Sequence, residues 1–524
     1  MTRREMLAAG VVTLAGAAAV RLGWPRDLSS WPAPQLAPDD SFEPDVELAL
    51  VAERGEVAIL PGRRTSVWRF TGRVVKGPSS SLDASPGSYL GPTIRLRRGQ
   101  KVRIRFSNQL PDASIVHWHG LDVPQAADGH PRLAVPGGAE YVYEFTVANR
   151  AGTYWYHPHP LMQTGPQVYR GLAGVLIVSD DEEQELALPA GDAELLCVLQ
   201  DRRFDADNQL IYSAAMMDGV TGFLGDRVLV NGQADAKWPL AARAYRVRVL
   251  NGSNARIYKL AWSDGTPMTV LGTDGGLLER PVDQRCVTLG PAQRVDLWLD
   301  LSTRPVGAQL ELLSEAFPVS DAGVAMMGRG MGRGMGMGGR GGAMQGGSLA
   351  LGAPISLVRI DVGRKVGSSA RLPARLSTFG AAWRVASDAP VRRVALGFRA
   401  MQWMLAGRVF EMEDVAADET VIAGSTHHWE LENASGPMGM QMAHPIHLHG
   451  TQFRVVSRTG GSEANALREG LVDGGWADTV LVLPGERVRI QVTFGTHPGL
   501  YLYHCHILEH EDMGMMRNFR IIEA

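Results

Sequence analysis

One pattern appears twice in this chain and limits what it can fold into. "PGGAEYVYEFTVANRAGTYWYHPH" (136–159) and "PGERVRIQVTFGTHPGLYLYHCH" (484–506) both run from Pro-Gly through an alternating strand and a glycine turn to Tyr-x-Tyr-His-x-His. Ahead of each stands a second matched pair, "SIVHWHGLDV" (114–123) and "HPIHLHGTQF" (444–453). A third segment, "GPAQRVDLWLDLS" from Gly290, keeps the Pro-x-x-Arg-Val start of the later copy, but no histidine follows it. Repetition at this scale means a repeated structural unit. Period-two apolar alternation, cut by Gly and Pro turns, makes that unit a β-sandwich. The expected architecture is all-β, with three related sandwiches over 46–185, 190–360 and 385–524.

The length of 524 residues and a hydrophobic content of 45% suit several domains with their own cores. A net charge of −3 indicates no nucleic-acid surface. Residues 1–45 read as leader and linker. Arg3 and Arg4 precede an apolar run from Leu7 to Val20 that is too short to span a bilayer, and proline-rich "WPAPQLAP" follows. That arrangement matches a twin-arginine export signal and predicts a periplasmic protein with no membrane span in its mature form. The three cysteines are too few for a disulfide framework. Cys197 and Cys286 lie in apolar, strand-like runs and read as core thiols, with a bridge between them left open. Cys505 stands apart, inside "HCHILEHEDMGMM" (504–516).

The two histidine-bearing copies differ in an informative way. Ser114 stands where His444 stands, Pro158 where Cys505 stands, and Gln163 where His510 stands. The private group of the later copy is therefore His444, Cys505, His510 and Met515: two imidazoles, a thiolate and a thioether. Such a set is that of a blue-copper electron-transfer site, a His₂Cys plane with a weak axial methionine. Zinc is the rival metal, but it favours four strong ligands, and a thioether is a poor one. The shared group holds His117, His119, His157 and His159 from the first copy and His447, His449, His504 and His506 from the last. Eight imidazoles suit three ions held between two domains. In an extended 504–506 segment, His504 and His506 face one way and Cys505 the other, so one tripeptide links both groups. His130, His427, His428 and His497 are left with structural roles.

The segments "HWHG", "HPH", "HPIHLHG" and "HCHILEHEDMGM" resemble those of the multicopper oxidases, across nearly the whole mature chain. This resemblance implies three cupredoxin-like Greek-key β-sandwich domains and four coppers per chain. The type 1 copper would take His444, Cys505, His510 and axial Met515; the type 2 copper, His117 and His447. The type 3 pair would take His119, His157, His159, His449, His504 and His506. Four one-electron oxidations would pass through Cys505 to the cluster, where dioxygen becomes two waters. Asp128 and Glu511 match acidic positions that the family uses to relay protons or orient cluster water, as a closed proton-consuming site requires.

The reductant has one clue. "AMMGRGMGRGMGMGGRGGAMQGG" (325–347) carries Met331, Met335 and Met337 in a glycine-rich stretch that cannot pack a core, and "GPMGMQMAHP" places Met440 and Met442 just before His444. Thioethers are soft and neutral, which suits Cu(I). The functional likeness is to bacterial copper-efflux oxidases, with Met440, Met442, Met331, Met335 and Met337 as candidate ligands for substrate copper. The match is imperfect: Met440 replaces an expected aspartate, Asp321 only borders the insert, and Arg329, Arg333 and Arg340 would repel a cation. The leading expectation is a monomeric cuprous oxidase that takes dioxygen as acceptor. A laccase-like phenol or bilirubin oxidase is the alternative, and a non-enzymatic copper-binding protein a third reading that eight intact histidines disfavour.

Overall fold

The computed structural model describes residues 38–85, 87–212, 216–323, 349–434 and 441–524. The leader and the methionines Met331, Met335, Met337 and Met440 lie outside these residues. Six sheets form three pairs along the chain. The strands of the first pair run from Val46 to Ser179, those of the second from Glu194 to Lys365, and those of the third from Val391 to Ile522. The second pair thus extends past the expected residue 360, because Ile355–Lys365 continues as one strand beside Ala236–Ala242. Among the described residues no helix is long and apolar enough to cross a membrane.

The alternation read from the sequence becomes burial. In Lys101–Asn108 the side chains of Val102, Ile104 and Phe106 are fully buried, while Lys101 and Arg105 face solvent. Val488, Ile490 and Val492 do the same in Glu486–Thr493. Each sandwich also repeats one crossover: its opening strand pairs in parallel with a later neighbour. Val46–Val57 lies beside Lys101–Asn108, Glu194–Arg202 beside Ala244–Asn251, and Val391–Arg399 beside Thr426–Glu432. Parallel neighbours cannot be joined by a hairpin, so the chain must cross between the two sheets of each sandwich.

Register carries the repeat into the histidines. In the first sandwich His117 is paired directly with His157; in the third, His447 is paired with His504 and Ile446 with Cys505. Cys197 and Cys286 are free and buried, which settles the bridge left open above. His130, His427 and His428 bond to Asn518, Ser425 and Gln491 respectively, as structural histidines do. The position expected to match His510 in the first copy is Gln163, but Gln163 is exposed. Gln167 instead hydrogen-bonds Ser114 at 2.8 Å, so a neutral polar pair closes that end of the first sandwich.

The first two sandwiches meet at glycine. Gly276 has φ of +98°, and a Cβ there would lie 2.1 Å from the carbonyl oxygen of Ala151. We predict that Gly276→Ala lowers unfolding stability by about 2 kcal/mol or more, through the left-handed backbone and the overlap together. A denaturant midpoint unchanged from that of the parent would show the interface to be looser than this packing.

Candidate metal centre

The private group meets at one end of the third sandwich. His444 begins the strand His444–Leu448, Cys505 ends Gly499–Cys505, and the short helix Leu508–Asp512 brings His510 back. The Nδ1 atoms of His444 and His510 stand 3.4 Å and 3.6 Å from Cys505 Sγ. Met515 stands just before the strand Met516–Ile522 that returns past Cys505: its carbonyl accepts the Cys505 amide at 3.0 Å, and it is fully buried in the same cluster. His510 points its other nitrogen outward, donating Nε2–H to the Val220 carbonyl at 3.0 Å. Trp403, which no sequence pattern singled out, lies against both imidazoles, 4.3 Å from His510 and 4.8 Å from His444 between ring centres. Burial raises the Cys505 thiol and lowers His444 to about 3. The imidazoles are therefore neutral ligands, whereas the thiol needs a bound cation to become a thiolate.

All eight shared histidines gather between the first and third sandwiches, each no more than 1% exposed. They divide into a pair and two triples. His117 and His447 face each other with Nε2 atoms 3.3 Å apart. His159, His449 and His504 form one triple, with Nε2–Nε2 distances of 3.4 and 3.1 Å to His504. His119, His157 and His506 form the other, with ring centres 5.1 to 5.7 Å apart.

Most rings spend one nitrogen on the protein and aim the other inward. His117 Nδ1–H donates to the Asp128 carbonyl, His447 Nδ1–H to the Asp478 carbonyl, and His449 Nδ1–H to the Asp128 carboxylate at 2.8 Å. His119 is reversed: Nε2–H goes to Asp478 Oδ1 at 3.0 Å, which leaves Nδ1 facing in. His119 Nδ1, His157 Nε2, His159 Nδ1 and both nitrogens of His506 have no hydrogen-bond partner among the described residues. Buried nitrogens left open together cost free energy unless something binds them. The donor set fits copper: imidazoles for three ions, and a thiolate with a thioether for the fourth. Asp478 went unseen in the sequence, since "WADTV" has no histidine or cysteine to mark it. Glu511 sits 3.2 Å from His504 Nδ1 and 3.5 Å from His159 Nε2. Of the candidate substrate-copper methionines only Met442 is described; it lies in the core cluster that holds Cys505 and Met515, 3% exposed rather than at the surface.

Comparison with known proteins agrees with this geometry. Residues 72–183 and 386–524 each match a family model described as multicopper oxidase. The multicopper oxidase mco of Staphylococcus haemolyticus is 30% identical over 437 residues, spanning 83% of each chain. The chain belongs to the multicopper oxidase family. It is also similar to the laccase of Bacillus subtilis, 29% identical with 85% of this chain and 91% of that one covered. The crystal structure of McoA from Aquifex aeolicus superposes with a TM-score of 0.74 at 31% identity, covering 92% of this chain and 97% of that one.

The protein is thus a copper-dependent oxidoreductase with dioxygen as acceptor. When bound, the coppers supply one-electron acceptance from a reductant and four-electron reduction of dioxygen to two waters. The chain itself contributes the connection and the enclosure. His504-Cys505-His506 joins the two sites through covalent bonds alone, and burial keeps bulk water from the eight imidazoles.

We predict that Cys505→Ser abolishes the blue colour and oxidase turnover while the protein stays folded and keeps its other coppers. Absorption spectra, metal analysis and circular dichroism check this, and a variant that stays blue would remove Cys505 from the site. Burial also makes the copper-free protein sensitive to acid. It holds His117, His119, His159, His449, His504, His506 and His510 well below 6.5, and His157 at about 3. Between about pH 6.5 and 3 the unfolded chain binds protons that the folded chain refuses, so stability falls as pH falls. Denaturant midpoints of the copper-free protein should drop steeply from pH 7 to pH 5. A flat profile would mean that the rings titrate normally.

Proposed function

We propose that this multicopper oxidase acts on Cu(I), as a periplasmic cuprous oxidase of copper tolerance exported by the twin-arginine route. The observation that carries the reading is where the methionine-rich insert joins the fold. The Ala322 carbonyl accepts the Ala443 amide at 3.0 Å, one residue before the ligand His444. A Cβ on Gly323 would lie 1.7 Å from the Gln441 oxygen, so the chain enters 325–347 pressed against the segment that leads into the blue-copper site. Thioethers tethered there would hold a soft ion within electron-transfer range.

A second feature supports a small donor. His510 is fully buried, and its Nε2–H is taken by Val220 on the helix Met216–Thr221, so a phenol ring has no edge of this ligand to touch. At the other centre, Asp128 and Glu511 are assigned to holding protons for dioxygen reduction. Each carboxylate contacts cluster imidazoles, and burial pushes both carboxyls well above their usual range. The laccase-like alternative draws on the Bacillus subtilis relative, whose name is laccase.

Deleting 325–347 separates the two. Cuprous oxidase efficiency should fall in steady-state dioxygen uptake, and phenol oxidation should stay level or rise as the blue site opens. Unchanged Cu(I) oxidation would put the laccase-like reading ahead.

A further inference from the structure

Among the described residues the middle sandwich supplies no ligand to the blue-copper site or the histidine cluster, yet it keeps the arginine of the repeated Pro-x-x-Arg-Val segment. In the third sandwich the matching residue, Arg487, makes a surface pair with Glu432 at 2.9 Å, both side chains a third or more exposed. In the middle one the matching residue, Arg294, is completely buried. Its guanidinium grips Asp478 as a fork, Nη1 to Oδ1 at 2.7 Å and Nη2 to Oδ2 at 2.5 Å. Its remaining N–H groups go to the carbonyls of Thr153 at 2.9 Å, Ala292 at 3.2 Å and Asp274 at 3.0 Å. All five donors are used, and their acceptors come from all three sandwiches.

Asp478 is the residue through which this grip reaches the metal site. Its Oδ1 accepts Nε2–H of His119 from the first sandwich, and its carbonyl accepts Nδ1–H of His447 from the third. Which ring nitrogen faces a metal is set by the hydrogen bond that the other nitrogen makes. His119 differs from its neighbours because its Nε2 is claimed, and the claim depends on a carboxylate that cannot turn. Burial alone would raise the Asp478 carboxyl, and the charge and hydrogen bonds of Arg294 overcome that, holding it below the usual range. Asp274 braces the unit from behind, with Oδ1 accepting the Arg294 amide at 2.7 Å and Oδ2 near the amides of Asp478 and Thr479 at 3.4 and 3.3 Å.

We infer that Arg294, supplied by the middle sandwich, is a positioning residue of the three-copper cluster. Through Asp478 it fixes His119 with Nδ1 inward and His447 with Nε2 inward. This gives the middle sandwich a chemical role at a site to which it contributes no ligand.

Arg294→Lys in the copper-loaded enzyme tests this. Lysine keeps the buried positive charge but not the planar fork, so Asp478 stays compensated while its orientation is freed. The cluster coppers should be held about 10- to 100-fold more weakly against a competing chelator. The type 2 paramagnetic signal should change, and the blue absorption should stay as in the parent. Arg246→Lys serves as control, since Arg246 is an equally buried arginine bonded to Asp296 at 2.5 Å within the middle sandwich. It should lower the melting temperature and leave cluster affinity alone. Asp274→Asn, which loosens only the brace, should weaken the cluster in the same direction by a smaller factor. The inference is overturned if Arg294→Lys keeps parental cluster affinity and signal, or if the blue copper is lost in parallel. It is equally overturned if Arg246→Lys loosens the cluster as much, or if Asp274→Asn changes nothing.

Discussion

Eight imidazoles buried together are the constraint on which the rest of this structure depends. A buried ring nitrogen needs a partner, and eight rings cannot all be satisfied by one another. Six of the rings are held by the protein at one nitrogen and turn the other inward, while both nitrogens of His506 have no hydrogen-bond partner among the described residues. The protein meets this with backbone carbonyls from Asp128, Pro158, Asp478 and Cys505 and with the carboxylates of Asp128 and Asp478. Those acceptors lie on loops and strand ends, so their positions depend on how the sandwiches are pressed together.

That dependence explains the close backbone packing between sandwiches. Gly276 lies against Ala151 and Gly152, whose strand continues to His157. Gly129 has φ of +85°, and a Cβ there would lie 2.3 Å from the Val116 oxygen, so only glycine lets the chain return tightly enough to set the Asp128 carbonyl on His117. The two metal-binding sandwiches face each other across the cluster, and the middle one reaches it through Arg294. The middle copy, which supplies no cluster ligand among its described residues, keeps the repeat arginine and gives it a different task.

The blue-copper site obeys a different logic. Its ligands all come from one sandwich, Cys505, His510 and Met515 from one short segment and His444 from 61 positions earlier, so it needs no second domain for assembly. The middle sandwich helps set its access instead. Val220 from the middle one covers the outer nitrogen of His510, while Trp403 of the third sandwich itself stacks on His510 and meets His444 edge-on. Such enclosure by aromatic and aliphatic groups lowers the local dielectric and excludes water around the metal, both of which influence potential.

The sequence by itself determined the all-β class, the three-unit repeat, and the division of histidines into a shared and a private group. It could do so because strand alternation, turn residues and ligand spacing are local properties, written along a few residues at a time. Strand pairing in the structure, across 57 and 40 positions, set His447 against His504 and His117 against His157. His157 and His504 bond the carbonyls of their next residues, but for His119 and His449 the tertiary structure alone decided which nitrogen is offered, because their acceptors are distant in sequence. Asp478 holds His119 across 359 positions, and Asp128 holds His449 across 321. It also moved the partner of Ser114 from Gln163 to Gln167, since a helix turn and not a linear alignment chooses which side chain points inward. Arg294 shows the limit most clearly. Its motif was legible as a repeat, but a surface arginine and a buried one read alike in sequence until the neighbouring sandwich supplies an acid to grip.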